Sequence, residues 1–296
     1  MEELKCVLKT EAILGESPVW SSSDQKLYWV DILRCRIFCF DPQTDQNQVV
    51  ATLPQLVTAF AFCESGKFVL ALAHGIGLLD RQSGKLDMIS EPEKDRPDNR
   101  FNDGKCDRQG RFWCGTMNLV EPQKDTGNLY RLNRDRSLTG MQDHVKLTNG
   151  MGWSPDNRTM YFTETKRYAI FAYDFNPETG SITNRRVFVQ LDANDFPVGG
   201  PDGLTVDQEG YVWSAHYGRG KIVRYSPEGV KERVITLPVP RPTSCAFGGE
   251  NLDILFMTTA RENMSREEIE QYPLSGSLFA VRTEVKGLPE AHYKDA

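Results

Sequence analysis

Short runs in which apolar and polar residues alternate, broken every few positions by Gly, Pro, Asp or Asn, fill nearly the whole chain. Alternation with period two is the pattern of a half-buried β-strand, and the breakers supply its turns. The runs recur as a unit: a Pro/Asp/Gly turn, an alternating strand, a second turn with Gly or Asp, and a strand with an aromatic pair or its equivalent. Six copies are legible, at SPVWSSSDQKLYWVDI (17 to 32), AFAFCESGKFVLAL (59 to 72), GKCDRQGRFWCGTM (104 to 117), GMGWSPDNRTMYFTET (150 to 165), GLTVDQEGYVWSAH (203 to 216) and CAFGGENLDILFMTTA (245 to 260). Tyr28, Phe68, Phe112, Tyr161, Val212 and Phe256 occupy equivalent positions, with spacings of 40, 44, 49, 51 and 44 residues. That is the period of a propeller blade. A further short alternating strand follows each copy, as in RIFCFDPQTDQ, GNLYRLNRD and KIVRYSPEG. Only RENMSREEIEQ reads as a helix.

Four strands per unit and six units predict an all-β fold, a six-bladed β-propeller occupying residues 1–296 as a single domain. The segment from Leu4 to Thr10 has no blade of its own. It is expected to pair beside the last strand and close the ring, since an open blade would expose an unpaired edge.

Composition narrows the function more than the fold. The 296 residues carry 35 Lys and Arg against 41 Asp and Glu, a net charge of −6, with the basic residues scattered. This argues against a nucleic-acid partner. The start, MEELKCVLKTEAILG, lacks an apolar signal region, and the longest mostly apolar run, near Phe68 to Leu79, is too short to span a bilayer. A cytoplasmic protein without membrane attachment is expected. The seven cysteines, at 6, 35, 39, 63, 106, 114 and 245, form no CxxC pairs, and several sit in strand-like runs, a pattern of reduced, buried thiols.

Candidate chemistry lies at the unit starts. Strands nearest a propeller's axis begin at one mouth of its channel, so residues at the start of successive units converge there. Glu16 in LGESPVW, Asn102 in DNRFNDG, Asn149 in TNGMGWSPD and Asp202 in GGPDGLTVD hold this position. Asn and Asp also cap turns beside Gly, but recurrence at one position in four repeats favours a shared site. Glu16, Asn149 and Asp202 offer two carboxylates and an amide oxygen, a set suited to one divalent metal ion. Ca, Zn, Mn, Mg and Fe are all admissible. His216 in SAHYGRG reads as a packed residue in preference to a ligand, and Trp29, Trp113 and Trp153 read as packing between blades. No P-loop, dinucleotide fingerprint or nucleophile elbow is present.

The motifs LGESPVW, DNRFNDGKCD, GRFWCGTM, GNLYRL, TNGMGWSPD, PDGLTVDQEGYVW and TSCAFGG, in this order over nearly the full chain, resemble the SMP-30/gluconolactonase/regucalcin-like family. The C-terminal ARENMSREEIEQYPLSGSLFAV most resembles its bacterial sugar lactonases. The resemblance implies one divalent metal held by Glu16, Asn149 and Asp202, with Arg100 and Asn102 contacting substrate. The family's acidic residue after the GTM motif falls on Val120 here, so Glu121 beside it, or Asn118, is the corresponding candidate for a sugar hydroxyl. The implied activity is metal-dependent hydrolysis of a xylono-, arabinono- or gluconolactone to its aldonic acid, with a small-molecule sugar lactone as partner. A carboxylate at the metal's edge takes the proton of the attacking water in such chemistry, and Asp202 is the candidate, as base or as ligand alone. A calcium-binding regulatory protein and an arylesterase- or phosphotriesterase-like hydrolase are the alternatives.

Overall fold

A computed structural model of the chain describes residues 3–196 and 198–295. Six four-stranded antiparallel sheets follow one another along the sequence. Their innermost strands are Gly15–Ser21, Val57–Phe62, Asn99–Cys106, Thr148–Trp153, Gly200–Val206 and Pro242–Gly248. We number the blades 1 to 6 by these strands. Each inner strand contacts those of the two neighbouring blades, and blade 6 returns to blade 1, so the sheets form a closed ring. The strand Lys5–Leu8 completes blade 6 by pairing antiparallel with Leu278–Arg282, Cys6 opposite Phe279. The strand Lys5–Leu8 thus closes the ring, as the unpaired-edge argument predicts.

The blades cohere through apolar side chains that the period-two pattern sends between adjacent sheets. Trp113 of blade 3 meets Trp153 of blade 4 edge to face, with ring centroids 6.0 Å apart. Trp20 of blade 1 stacks on Phe256 of blade 6 at 5.5 Å, beside the fully buried Trp29. The DxxGxxW pieces of blades 3 and 5 share one construction. In the first, the buried Asp107 accepts from the backbone of Gln109 and Arg111 and from the Trp113 indole at 2.9 Å. In the second, Asp207 does the same for Glu209, Tyr211 and Trp213. The predicted helix is Arg266–Gln271, started by a Ser265–Glu268 capping box. Among the described residues no helix is long and apolar enough to cross a membrane.

Residues 285–295, which have no strand pattern, form a strap across one end of the channel. Gln208 donates to the Lys286 carbonyl, Gly287 to Leu252, Tyr293 to Phe62, and Lys294 to Gly110. The strap therefore touches blades 5, 6, 2 and 3 in turn. Its Glu290 pairs with Lys105 at 2.9 Å, and its Tyr293 is fully buried with the hydroxyl on the Asn133 carbonyl at 2.7 Å.

Candidate functional site at the open mouth

All six inner strands lose regular pairing with the second strand of their blade at the same level. The register shifts between Glu16 and Val19, Val57 and Ala59, Phe101 and Gly104, Thr148 and Met151, Pro201 and Leu204, and Pro242 and Ser244. A bulge re-aims the side chains around it, and each blade has a polar residue in its register shift or at the shift's edge. Around the ring these are Glu16, Thr58, Asn102, Asn149, Asp202 and Thr243. Thr58 and Thr243 spend their hydroxyls on the carbonyls of Ala71 and Gly15. The other four line a cavity of about 300 Å³ together with Arg100. Close approach of the strands explains the glycines in TNG and PDG: a Cβ on Gly150 would lie 2.3 Å from the Leu204 nitrogen, and one on Gly203 only 2.1 Å from the Ser244 hydroxyl. Beside Glu16 the chain departs from common geometry, since Ser17 has φ +47° and donates its N–H to Glu16 Oε2 at 2.6 Å. Such a conformation costs a non-glycine residue on the order of 1–2 kcal/mol.

A chain of hydrogen bonds orients the amides. Arg100 Nη1 donates to Asn102 Oδ1 at 2.7 Å. Asn102 Nδ2 donates to Asn149 Oδ1 at 3.1 Å and to the Thr148 carbonyl at 2.8 Å. Thr165 donates its hydroxyl hydrogen to the Pro201 carbonyl at 2.7 Å, so it can only accept from Asn149, whose Nδ2 lies 2.7 Å away. This fixes which end of the Asn149 amide is which: the nitrogen faces Thr165, and the oxygen, which accepts from Asn102, keeps a second lone pair for a ligand.

Electrostatically the mouth is a crowd of acids, with Glu16 and Asp202 buried and Asp103 and Glu262 half-buried. Burial first, and then the neighbouring Glu16, Asp103 and Glu262 charges, push the Asp202 carboxyl well above its usual range. Burial and Asp103 do the same to Glu16, and burial pushes Asp103 up to about 6. Arg100 is the nearest compensation, and its guanidinium is itself pushed down by burial. Two buried carboxylates and an oriented amide oxygen, all hard oxygen donors with excess negative charge, fit a divalent cation. Among the described residues no group of three or more His, Cys, Asp and Glu side chains is placed to hold a metal, so any such set here must include the amide.

Glu121 does not join this group. Its exposed carboxylate pairs with Lys124 at 2.5 Å, and of its neighbours Leu119 and Pro122 reach the cavity while it does not. Asn118 is buried and accepts from the backbone of Val120 and Glu121, holding that turn. His216 packs between Phe196 and Tyr225 with Nε2 3.2 Å from the Tyr225 hydroxyl, and burial pushes its pKa down to about 4. All seven cysteines are free, and burial raises the thiols of Cys63, Cys106, Cys114 and Cys245.

Three charged residues at the channel were not singled out by the repeat pattern. Asp103 lies deeper, on a wall shared with Ser17 and Lys105. Glu262 enters from the loop after the second strand of blade 6, where Arg241 and the Tyr217 hydroxyl hold its carbonyl. Lys166 comes from the short turn Thr165–Arg167 of blade 4. Only the first had a local signal, being next to Asn102 in NRFNDG.

The chain is a closed six-bladed β-propeller with oxygen-bearing side chains gathered at one mouth. Within it, residues 14–261 match the SMP-30/gluconolactonase/LRE-like region, and the chain belongs to that family. It is 38% identical over 290 residues to the 6-deoxy-6-sulfogluconolactonase of Pseudomonas putida, covering 98% of each chain, and 33% identical to the regucalcin of Gallus gallus, covering 97% of each. Its fold is similar to that of a calcium-binding protein, regucalcin, from Agrobacterium tumefaciens, with a TM-score of 0.91, 29% identity, and coverage of 97% of this chain and 96% of that one.

Proposed function

We propose that this protein is a metal-dependent hydrolase of a sugar aldonolactone, of the xylono-, arabinono- or gluconolactone kind, releasing the aldonic acid. The observation that carries the reading is the convergence of Glu16, Asn149 and Asp202 with Arg100 and Asn102 on one cavity. Relatives named as sugar lactonases support the same chemistry.

Glu16, Asn149 and Asp202 would hold a divalent cation, which would supply Lewis acidity towards the lactone carbonyl. Arg100 has donors beyond the Nη1 hydrogens engaged by Phe101 and Asn102, and these serve the hydroxyls of the sugar or the carboxylate of the product. Asn102 holds both Arg100 and the Asn149 amide in place. Asp202 accepts the proton of the attacking water. Water oxygen bonds to the carbonyl carbon, the ring C–O bond breaks, and the ring oxygen leaves as a hydroxyl, with net release of one proton from the acid formed.

Proton release from aldonolactones, followed with a pH indicator, tests the reading. Turnover is expected to disappear with chelator and with Asp202→Ala, and to return when the cation is restored to the wild type. Undiminished turnover in the chelated protein rules the metal mechanism out. A calcium-binding regulatory role is the second reading, favoured by the regucalcin relatives. Micromolar calcium affinity without turnover of any lactone would decide for it.

A further inference from the structure

Blades 1 and 4 contain the same turn between their second and third strands. In blade 1 it is Ile32–Arg34, entered from Asp31 and left through Cys35 at φ 54°. In blade 4 it is Thr165–Arg167, entered from Glu164 and left through Tyr168 at φ 52°. The last residue of each turn pairs back to the acid before it: Arg34 to Asp31 at 3.3 Å, Arg167 to Glu164 at 2.9 Å. The middle residue takes no part in this construction. In blade 1 it is Leu33, which is exposed; in blade 4 it is Lys166, which lines the cavity. Blade 1 thus serves as an internal control, in which the turn forms without a lysine.

Lys166 is half-buried, and its ammonium makes no hydrogen bond or ion pair with another described residue. Burial pushes its pKa down. The acids gather elsewhere: Glu262, Glu16 and Asp202 all act on Arg100. Asp103 lies deeper, outside this lining; among the charged residues that line the cavity, the cation proposed above offsets Glu16 and Asp202, Arg100 offsets Glu262, and Lys166 is left over. Holding a cation out of water without a partner is unfavourable, and an anion in the cavity would remove that cost.

We infer that Lys166 selects substrates carrying an acidic group away from the reacting carbonyl, so that the preferred lactone bears a phosphate, sulfonate or carboxylate. This rests on the lactonase reading for the reaction, but the anion site itself does not. A compact ammonium attracts all three acids, and their relative rates identify which one the cavity fits.

The test compares gluconolactone with the same lactone bearing phosphate, sulfonate or carboxylate at C6, for wild type, Lys166→Met and Lys166→Arg. Wild type is expected to favour one acidic lactone by about tenfold or more in kcat/KM, mostly through KM. The Met variant loses that preference and the Arg variant keeps most of it. Calorimetric binding of glucitol 6-phosphate against glucitol supplies a readout free of turnover, with the phosphate bound about tenfold tighter by wild type and equally by the Met variant. An acidic-to-neutral ratio near one in wild type, or one unchanged in Lys166→Met, overturns the inference. Phosphate preference in binding without hydrolysis of any lactone overturns the lactonase reading and leaves Lys166 standing, while hydrolysis without acid preference does the reverse.

Discussion

Asn102 donates an amide hydrogen to the side-chain oxygen of Asn149 across the boundary between blades 3 and 4, at 3.1 Å. A residue that the motif pattern associates with substrate is thereby the orienting partner of a candidate metal ligand. Outer partners of this kind typically control metal affinity about 10–100-fold. Asn102→Ala is therefore expected to weaken binding of the divalent cation by about that factor, measured by titration calorimetry. Full cation affinity in the variant would show that Asn149 needs no support from blade 3.

Protons and the cation should compete at the mouth. Glu16, Asp202 and Asp103 have carboxyl pKa values raised by folding, Asp103 to about 6. Above an unfolded pKa of about 4 the metal-free folded state holds the extra protons, so its stability falls as pH rises through the folded values. A cation reverses the effect by favouring the ionised forms. The gain in melting temperature on adding calcium or zinc is expected to be larger at pH 8 than at pH 5, and an equal gain at both would contradict the acid cluster.

His216 works with the opposite sign. Its folded pKa of about 4 lies below the ordinary 6.5, so in that window the unfolded chain takes up the proton first. Stability is lost as pH falls from about 6.5 towards 4, by up to about 3 kcal/mol. His216→Phe should flatten this dependence in urea unfolding between pH 4.5 and 7, whatever its effect on absolute stability.

The C-terminal strap is expected to be a stability element independent of the open mouth. Tyr293 is fully buried and hydrogen-bonded, and truncating a buried aromatic to alanine costs about 3–5 kcal/mol. Tyr293→Ala should lower the urea midpoint accordingly while leaving the cation midpoint where it was. A shift in cation affinity would mean that the strap and the mouth are coupled through the channel.

The ring of blades was legible because each blade repeats the same alternation and the same turn chemistry, and the closing role of Leu4 to Thr10 followed from its having no blade of its own and from the edge an open blade would expose. Glu16, Asn102, Asn149 and Asp202 were legible for the same reason, as equivalent positions in their repeats. Glu262 and Lys166 were not, because they lie on connections between the second and third strands. Those connections run from a three-residue turn in blade 4 to the helix-bearing loop of blade 6, so no shared position marks them. The strap escaped because backbone groups of four blades, not its own period, determine where it lies. Glu121 was drawn in by its place near the GTM motif, but the Asn118 cap turns its backbone and leaves its carboxylate beside Lys124.

The six aligned bulges have a consequence for how such a site can change. Thr58 and Thr243 stand at the same level as the four cavity residues, in blades whose backbone already bends in the same way. The ring is in effect a six-place socket in which side chains are exchanged without redesigning the frame. A single substitution at one of these six places changes the polar lining around the axis, while the buried walls between blades stay as they are.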